Sequence, residues 1–356
     1  MTHKLRKVIW VESINFLNLP LFFFTRLFSG AYIRYDEHQS STFLCKILKL
    51  LIQRGRLSFI SPASLRLNVK DENGYAIEYR RATYLSQCVD SVCSSVMLNE
   101  PKWFKEVVKS YLSSYLGQHI LFITMVEHEI LKIKNVKHEI YLKANFANYL
   151  IISFFPDKEI KIRQLPPIFS YLELLVKPFL LLVRALYYQV FFNKITGTIK
   201  ERDVLPALWI EHEHTHGVWV QFRRFLSNHI DKNKYKTVYY FDRDDTPIDE
   251  TVVNTLKSMA LEWIDCRKMR HSRLNLSDIN ELVTKMGRST HLRPLWLFMI
   301  RLHFEVIYIL YKSMYARFNV KLLIQHQEGS WRQEAQKQAL DAIGGIMIGL
   351  HWSSYL

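Results

Sequence analysis

Between residue 205 and the last residue, 356, the chain spells one order of elements twice: a short apolar run, a polar loop, a helical stretch and another apolar run. The first copy runs LPALWIEHEHTHG, VWVQFRRFLSNHI, TVYYFDRDD, a helix expected from Pro247 to Met259, and LEWID. The second runs NVKLLIQHQEGSW, RQEAQKQALDAI and GIMIGLHWS. Short apolar runs joined through helices are the mark of parallel strands buried on both faces. The pattern therefore predicts a parallel sheet of Rossmann type, in which ligands bind beyond the carboxyl ends of the strands. Glu211 to His216, Asp242 to Asp245, His326 to Glu328 and His351 fall at those ends.

The beginning of the chain carries a similar signal. VIWVE (8–12), GAYIRY (30–35) and LSFIS (57–61) are bounded apolar runs, with TFLCKILKLLIQRG between two of them. After Gly74 the pattern turns largely helical to about Ile133, with Pro101 at a helix start, and the strands YLIISFF and EIKIRQL are expected later. A chain of 356 residues with 49% hydrophobic content supports two or more cores. The expected organisation is an α/β domain with a helical insertion over 1–165, an amphipathic connecting helix over 166–204, and a Rossmann-like domain over 205–356. That last domain stops just after a strand and reads as truncated at its C-terminus.

Two long apolar segments share one spacing of charges. FSYLELLVKPFLLLVRALYYQVFF contains Glu173, Lys177 and Arg184, and LWLFMIRLHFEVIYILYKSMYARF contains Arg301, Glu305 and Lys312 at the same intervals. At 100° per residue each trio falls within about 40°, so both segments read as amphipathic helices with one polar stripe. Three readings follow: a core or interdomain helix with its stripe in water, an interfacial helix on anionic lipid, or a membrane span. Burial of three ionisable groups weighs against the span.

Three loops hold groups capable of chemistry. In EHEHTH, His212, His214 and His216 alternate and face one side of a continued strand, which suits a transition metal with Glu211 or Glu213. No second ligand cluster lies nearby, so no metal is expected there. FDRDD resembles a DxD metal–diphosphate motif, with Asp242 and Arg243 as ligand contacts, although Asp244, Asp245 or Thr246 also suit a helix cap. IQHQEGSW places His326 and Glu328 at a strand tip and Arg332 in the next helix, where guanidinium and helix N-terminus together suit a phosphate or carboxylate. The plainer reading there is a capped turn with a solvated arginine. GxGxxG, the Walker lysine loop, GxSxG and kinase signatures are all absent, so no cofactor is expected.

Lys and Arg outnumber Asp and Glu by 48 to 33, for a formal charge of +15, which favours anionic partners. The basic residues are dispersed, with no Lys/Arg block, so phospholipid or a sugar diphosphate is preferred to nucleic acid. Cys45, Cys88, Cys93 and Cys266 form no CxxC pair, which fits a reducing cytoplasm. The basic start followed by an apolar run raises a signal peptide, but Glu12 and Asn15 interrupt that run and no small-residue cleavage site follows, so the N-terminus reads as folded protein.

At VYYFDRDDTPIDETVVNTLKSMALEWID and VKLLIQHQEGSWRQEAQKQALDAIGGIMIGLHWSS, above all YFDR, the TPID helix start, ALDAIGG and HWSS, the chain resembles bacterial surface-carbohydrate (capsule and lipopolysaccharide) biosynthesis proteins similar to GT-B glycosyltransferases. The resemblance covers about residues 205–356. It implies two Rossmann-like lobes that move a sugar from a nucleotide- or lipid-linked donor to a glycan acceptor, at the cytoplasmic face of the inner membrane. Under it, Glu211, His212 and His326 are candidates for the base that deprotonates the acceptor, and Arg243 and Arg332 for contacts to the leaving diphosphate. Ending soon after HWSS departs from the expected length of the donor lobe. The rival reading is a non-catalytic membrane-associated scaffold or inactive remnant of such an enzyme, and a third is a metal-dependent hydrolase built on EHEHTH.

Overall fold

The computed structural model describes residues 7–14, 32–36, 40–51, 57–60, 69–70, 74–97, 100–130, 136–143, 151, 160–164, 168–192, 197–199, 206–211, 233–242, 248, 250–258, 262–326 and 330–350. The chain folds as two compact units, Met1–Glu173 and Leu174–Leu356.

The first unit is built on strands β1 (Lys7–Val11), β2 (Tyr32–Asp36), β3 (Leu57–Ile60), β4 (Lys137–Leu142) and β5 (Ile160–Gln164), with helices α1 (Thr42–Leu51), α2 (Ile77–Val96) and α3 (Lys102–Ile130). The strands lie in the order β3-β2-β1-β4-β5, every pair parallel. One face of the sheet closes over Ile9, Val11, Ile33, Tyr35 and Tyr141, with Leu44 and Cys45 of α1 packed on them. Sequence periodicity misses β4, because KHEIYL carries polar residues in a central strand. The fold accommodates them with partners: buried His138 accepts from Trp10 Nε1 at 3.2 Å, and Glu139 meets Lys7 at 2.8 Å. YLIISFF is corrected at the one residue of it that is described, since Ile151 is helical and buried. A short apolar run without alternation does not distinguish a buried strand from a buried helix.

The second unit repeats the topology. Strands β6 (Ala207–Glu211), β7 (Lys236–Phe241), β8 (Glu262–Asp265), β9 (Val320–His326) and β10 (Ile346–Leu350) form an all-parallel sheet in the order β10-β9-β6-β7-β8. In both sheets the chain adds two strands to one side of the first strand and then crosses to the other, the arrangement of a Rossmann-type doubly wound sheet. Helix α4 (Ile168–Phe191) leads toward this unit, and α5 (Glu250–Ser258), α6 (Leu276–Arg288), α7 (Leu295–Arg317) and α8 (Trp331–Asp341) belong to it. Helix α5 starts at Glu250 with Ile248 outside it, later than the start expected at Pro247.

Both faces of the second sheet are covered, which explains the continuous apolar runs. Leu208, Tyr239, Phe241, Trp263 and Ile324 pack with Leu256 of α5 on one side. Trp209 and Tyr240 stack at 5.5 Å on the other, where Trp209 also meets Tyr315 of α7 at 5.7 Å. Helix α7 is thus a core helix, with Phe304, Val306, Ile309, Leu310 and Tyr311 among its buried residues. Its charged stripe does not face water, a second correction. Glu305, 1% exposed, is held by Arg301 at 2.6 Å and by Lys285 of α6 at 3.0 Å, and Lys312 reaches Glu281 of α6 at 2.5 Å. A buried carboxylate needs such partners to remain ionised. The stripe is the seam between two helices.

Candidate functional site

The topology brings three of the sequence-predicted tips to one edge. Strand β6 lies between β7 and β9, all parallel, with Glu211 opposite Tyr240 and Ile210 opposite Ile324. Glu211 closes β6, Asp242 follows β7, and His326 closes β9. The strand order reverses between β6 and β9, which is where parallel sheets leave a crevice at their carboxyl ends. The side chains of Glu211 and His326, and residues His212, Arg243 and Glu328 entirely, lie outside the described residues. So do His214 and His216. Among the described residues no group of three His, Cys, Asp or Glu side chains could hold a metal ion.

Asp242 and Arg332 are described, and they touch. Arg332 Nη2 donates to Asp242 Oδ1 at 3.0 Å, and Gln336, one turn further along α8, donates to Oδ2 at 2.9 Å. Tyr311 of α7 also donates to Oδ2, at 2.6 Å, and accepts from Arg332 Nε at 2.7 Å. Burial, reinforced by the Asp242 carboxylate, holds the Tyr311 hydroxyl well above its ordinary pKa, so it keeps its proton and donates. Asp242 is therefore an internal acceptor that pins α7 and α8 to the end of β7. The βα turn into α8 is capped as a capped turn should be: Ser330 Oγ accepts from Gln333 N at 3.3 Å, and Gln333 reaches back to Ser330 N at 3.2 Å. Arg332, however, is more than a solvated side chain, because Asp242 orients it.

A second buried carboxylate ends β8. Asp265, 1% exposed, receives a bidentate fork from Arg267, Nε to Oδ1 at 2.8 Å and Nη2 to Oδ2 at 3.0 Å, and takes Arg270 Nη1 at 2.7 Å. Two arginines on one carboxylate leave this loop with a net positive charge. The next residues are conformationally strained: Lys268 and Met269 hold φ of 57° and 56°, a left-handed region costing a non-glycine residue about 1–2 kcal/mol.

These loops wall a cavity of about 180 Å³. Lys268 and Met269 come from the loop after β8, Trp331 and Arg332 from the first turn of α8, His303 and Ile307 from α7, and Leu181 and Arg184 from α4. Three cations thus converge beside a helix N-terminus, whose amide dipoles add further positive potential. His303 contributes no charge near neutrality. Burial first, then Lys177 and Arg332, bring its pKa down to about 4, and its ring lies 4.9 Å from Trp331. The arrangement suits a small anion with an apolar attachment: Arg184, Lys268 and Arg332 for phosphate oxygens, and Leu181, Ile307 and Trp331 for the rest.

Sequence reasoning singled out Arg332 but missed Arg184, Lys268 and His303, which come from segments far apart in the chain. Only the interrupted apolar run of α4 marked Arg184. It also passed over a buried pair at the corresponding edge of the first unit. Glu12, just after β1, meets His119 Nδ1 of α3 at 2.6 Å and accepts from Lys143 N, just after β4, at 2.8 Å. There, too, the strand order reverses.

No protein-family model and no curated protein matches the sequence. Among solved structures, the chain is similar to a tyrosyl-tRNA synthetase of Leishmania major (TM-score 0.23, 7% identity, 98% of this chain and 76% of that one). It is also similar to the glycosyltransferase SnogD of Streptomyces nogalater (TM-score 0.19, 8% identity, 98% and 89%). A third is an N-terminal ketoreductase of a macrolactin assembly line (TM-score 0.20, 8% identity, 99% and 80%). Likenesses this faint carry no functional weight.

Proposed function

We propose that the protein transfers a sugar from a phosphate-linked donor to a glycan acceptor in the building of bacterial surface polysaccharide, at the cytoplasmic face of the inner membrane. The observation that carries this reading is the cavity at the carboxyl edge of the second sheet, where Arg184, Lys268 and Arg332 converge beside the N-terminus of α8. Sugar transfer from such a donor needs cations to hold the departing phosphate, since negative charge builds there as the glycosidic bond breaks. Arg332, oriented by Asp242 and Tyr311, is the fixed member of that set. The base that takes the acceptor's proton is assigned to the β6 and β9 tips, to Glu211, His212 or His326, with Arg243 and Glu328 completing the donor contacts.

Calorimetry with a panel of nucleotide-sugars tests the reading. One donor should bind at millimolar strength or tighter, and Arg332→Ala or Arg184→Ala should weaken it about tenfold to a hundredfold, the worth of a charge-assisted hydrogen bond. If no donor binds, with or without lipid vesicles, sugar transfer is lost as an explanation.

One observation favours a second reading, a non-catalytic scaffold. Arg332 already has an internal partner in Asp242, which is what a purely structural latch requires. Under that reading Arg332→Ala lowers stability and leaves every ligand measurement unchanged.

A further inference from the structure

Helix α4 is apolar on two opposite faces. Leu174, Pro178 and Ala185 are buried on one side, with Leu174 and Ala185 at 1% and 0% exposure. Opposite them Leu172, Val176, Phe179, Val183, Leu186 and Val190 stand in solvent, from 42% exposed at Val176 to 69% at Val190. At 100° per residue these six fall within about 80° of one another. Leu175, Leu180, Tyr187 and Phe191, also exposed, widen the band to an arc of about 160°. The stretch Leu172–Phe191 has a mean hydropathy of 1.5 and is long and apolar enough to cross a membrane by composition, yet only 17% of it is buried. A contiguous apolar band of this length on a protein surface marks an interaction site.

The occupant follows from the width of the band and from charge. A paired coiled coil uses a narrow seam flanked by charged positions; here both flanks of the seam are leucine, tyrosine and phenylalanine. A lipid surface accepts a band this wide, and the formal charge of +15 draws the chain to anionic headgroups. Glu173, Lys177 and Arg184 mark one border of the band, with Arg184 lining the cavity and Lys177 of a length to reach headgroup phosphates. Leu174 and Ala185 are committed to protein packing, and an in-plane placement keeps that face on the protein while the opposite face meets lipid. We propose that α4 lies in the plane of an anionic phospholipid bilayer, its Leu172–Phe191 band sunk among the acyl chains, and so seats the protein on the membrane. This goes beyond the sugar-transfer reading and does not rest on it.

The full chain is sedimented with vesicles of phosphatidylcholine alone and of phosphatidylcholine with about one-third phosphatidylglycerol, at low and high salt. The bound fraction should rise about tenfold on the anionic vesicles and fall, without vanishing, in high salt. The variant Val183→Glu/Val190→Glu, altered at two exposed positions, should retain the wild-type circular dichroism and lose vesicle binding. Light scattering without lipid should give a monomer. Failure of wild type to bind either vesicle, undiminished binding by the variant, or a lipid-free dimer that the variant dissolves would each overturn the proposal, the last by naming a second copy as the occupant. Calorimetry with nucleotide-sugars in the absence of vesicles reports on the cavity alone, so the two readings fail separately.

Discussion

Tyr311, in the middle of α7, donates its hydroxyl to Asp242 at the end of β7 across 2.6 Å, although 69 residues separate the two in sequence. The same oxygen accepts from Arg332 Nε, so one phenol links a strand end and two helices. Carboxylate, phenol, guanidinium and the Gln336 amide form a closed set in which each polar group satisfies another. Such networks hold their members in one geometry.

Removing the phenol oxygen tests that account. Tyr311→Phe deletes two charge-assisted hydrogen bonds, one given to Asp242 and one taken from Arg332, and should destabilise the second unit by at least about 1.5–3 kcal/mol. Asp242→Ala strands three donors at once and should cost about 3–5 kcal/mol. Urea unfolding of the two single variants and the double variant measures the coupling. Strict additivity of the two losses would show that these groups do not act as a set.

Gly197 makes a sharper test of backbone geometry. Its φ is +151°, and an added Cβ would stand 2.3 Å from the Trp263 carbonyl oxygen and 2.9 Å from Ile264 Cα. Both are backbone atoms of β8 or its edge, and Thr198 N donates to that same carbonyl at 2.9 Å, so neither side yields easily. Gly197→Ala should cost more than about 2 kcal/mol, read as a fall in melting temperature. Gly287→Ala is the matched control. It sits within α6 with open space where the Cβ would go, and helix propensity favours alanine by about 0.5–1 kcal/mol there.

Acid should weaken the second unit through two histidines. Burial first brings both His271 and His303 down to a pKa of about 4, with Arg317 next for His271 and Lys177 next for His303. An unfolded histidine takes up its proton near pH 6.5, so between about 6.5 and 4 the unfolded chain binds protons that the folded chain refuses. Stability is therefore flat above that window and falls as the pH drops through it, by on the order of 3 kcal/mol per histidine at most. His303→Gln should flatten part of the slope in denaturant titrations between pH 7 and 4.5. An unchanged slope would place the proton uptake elsewhere.

The amino-acid sequence by itself determined the local grammar: short apolar strands, intervening helices and polar tips at Glu211, Asp242 and His326. Those are properties of near neighbours in the chain, and periodicity reports them directly. It missed β4, whose His138 and Glu139 look unsuited to a central strand until Trp10 and Lys7 are seen beside them. Tertiary structure alone decided what covers each surface. Helices α4 and α7 carry the same spacing of three charges, Glu173, Lys177, Arg184 against Arg301, Glu305, Lys312, yet α7 is buried in the core and α4 presents its leucines and valines to solvent. The basic cavity is equally non-local, since Arg184, Lys268, His303 and Arg332 come from four separate elements. A helical period specifies which residues share a face; only long-range packing determines whether that face meets protein, water or lipid.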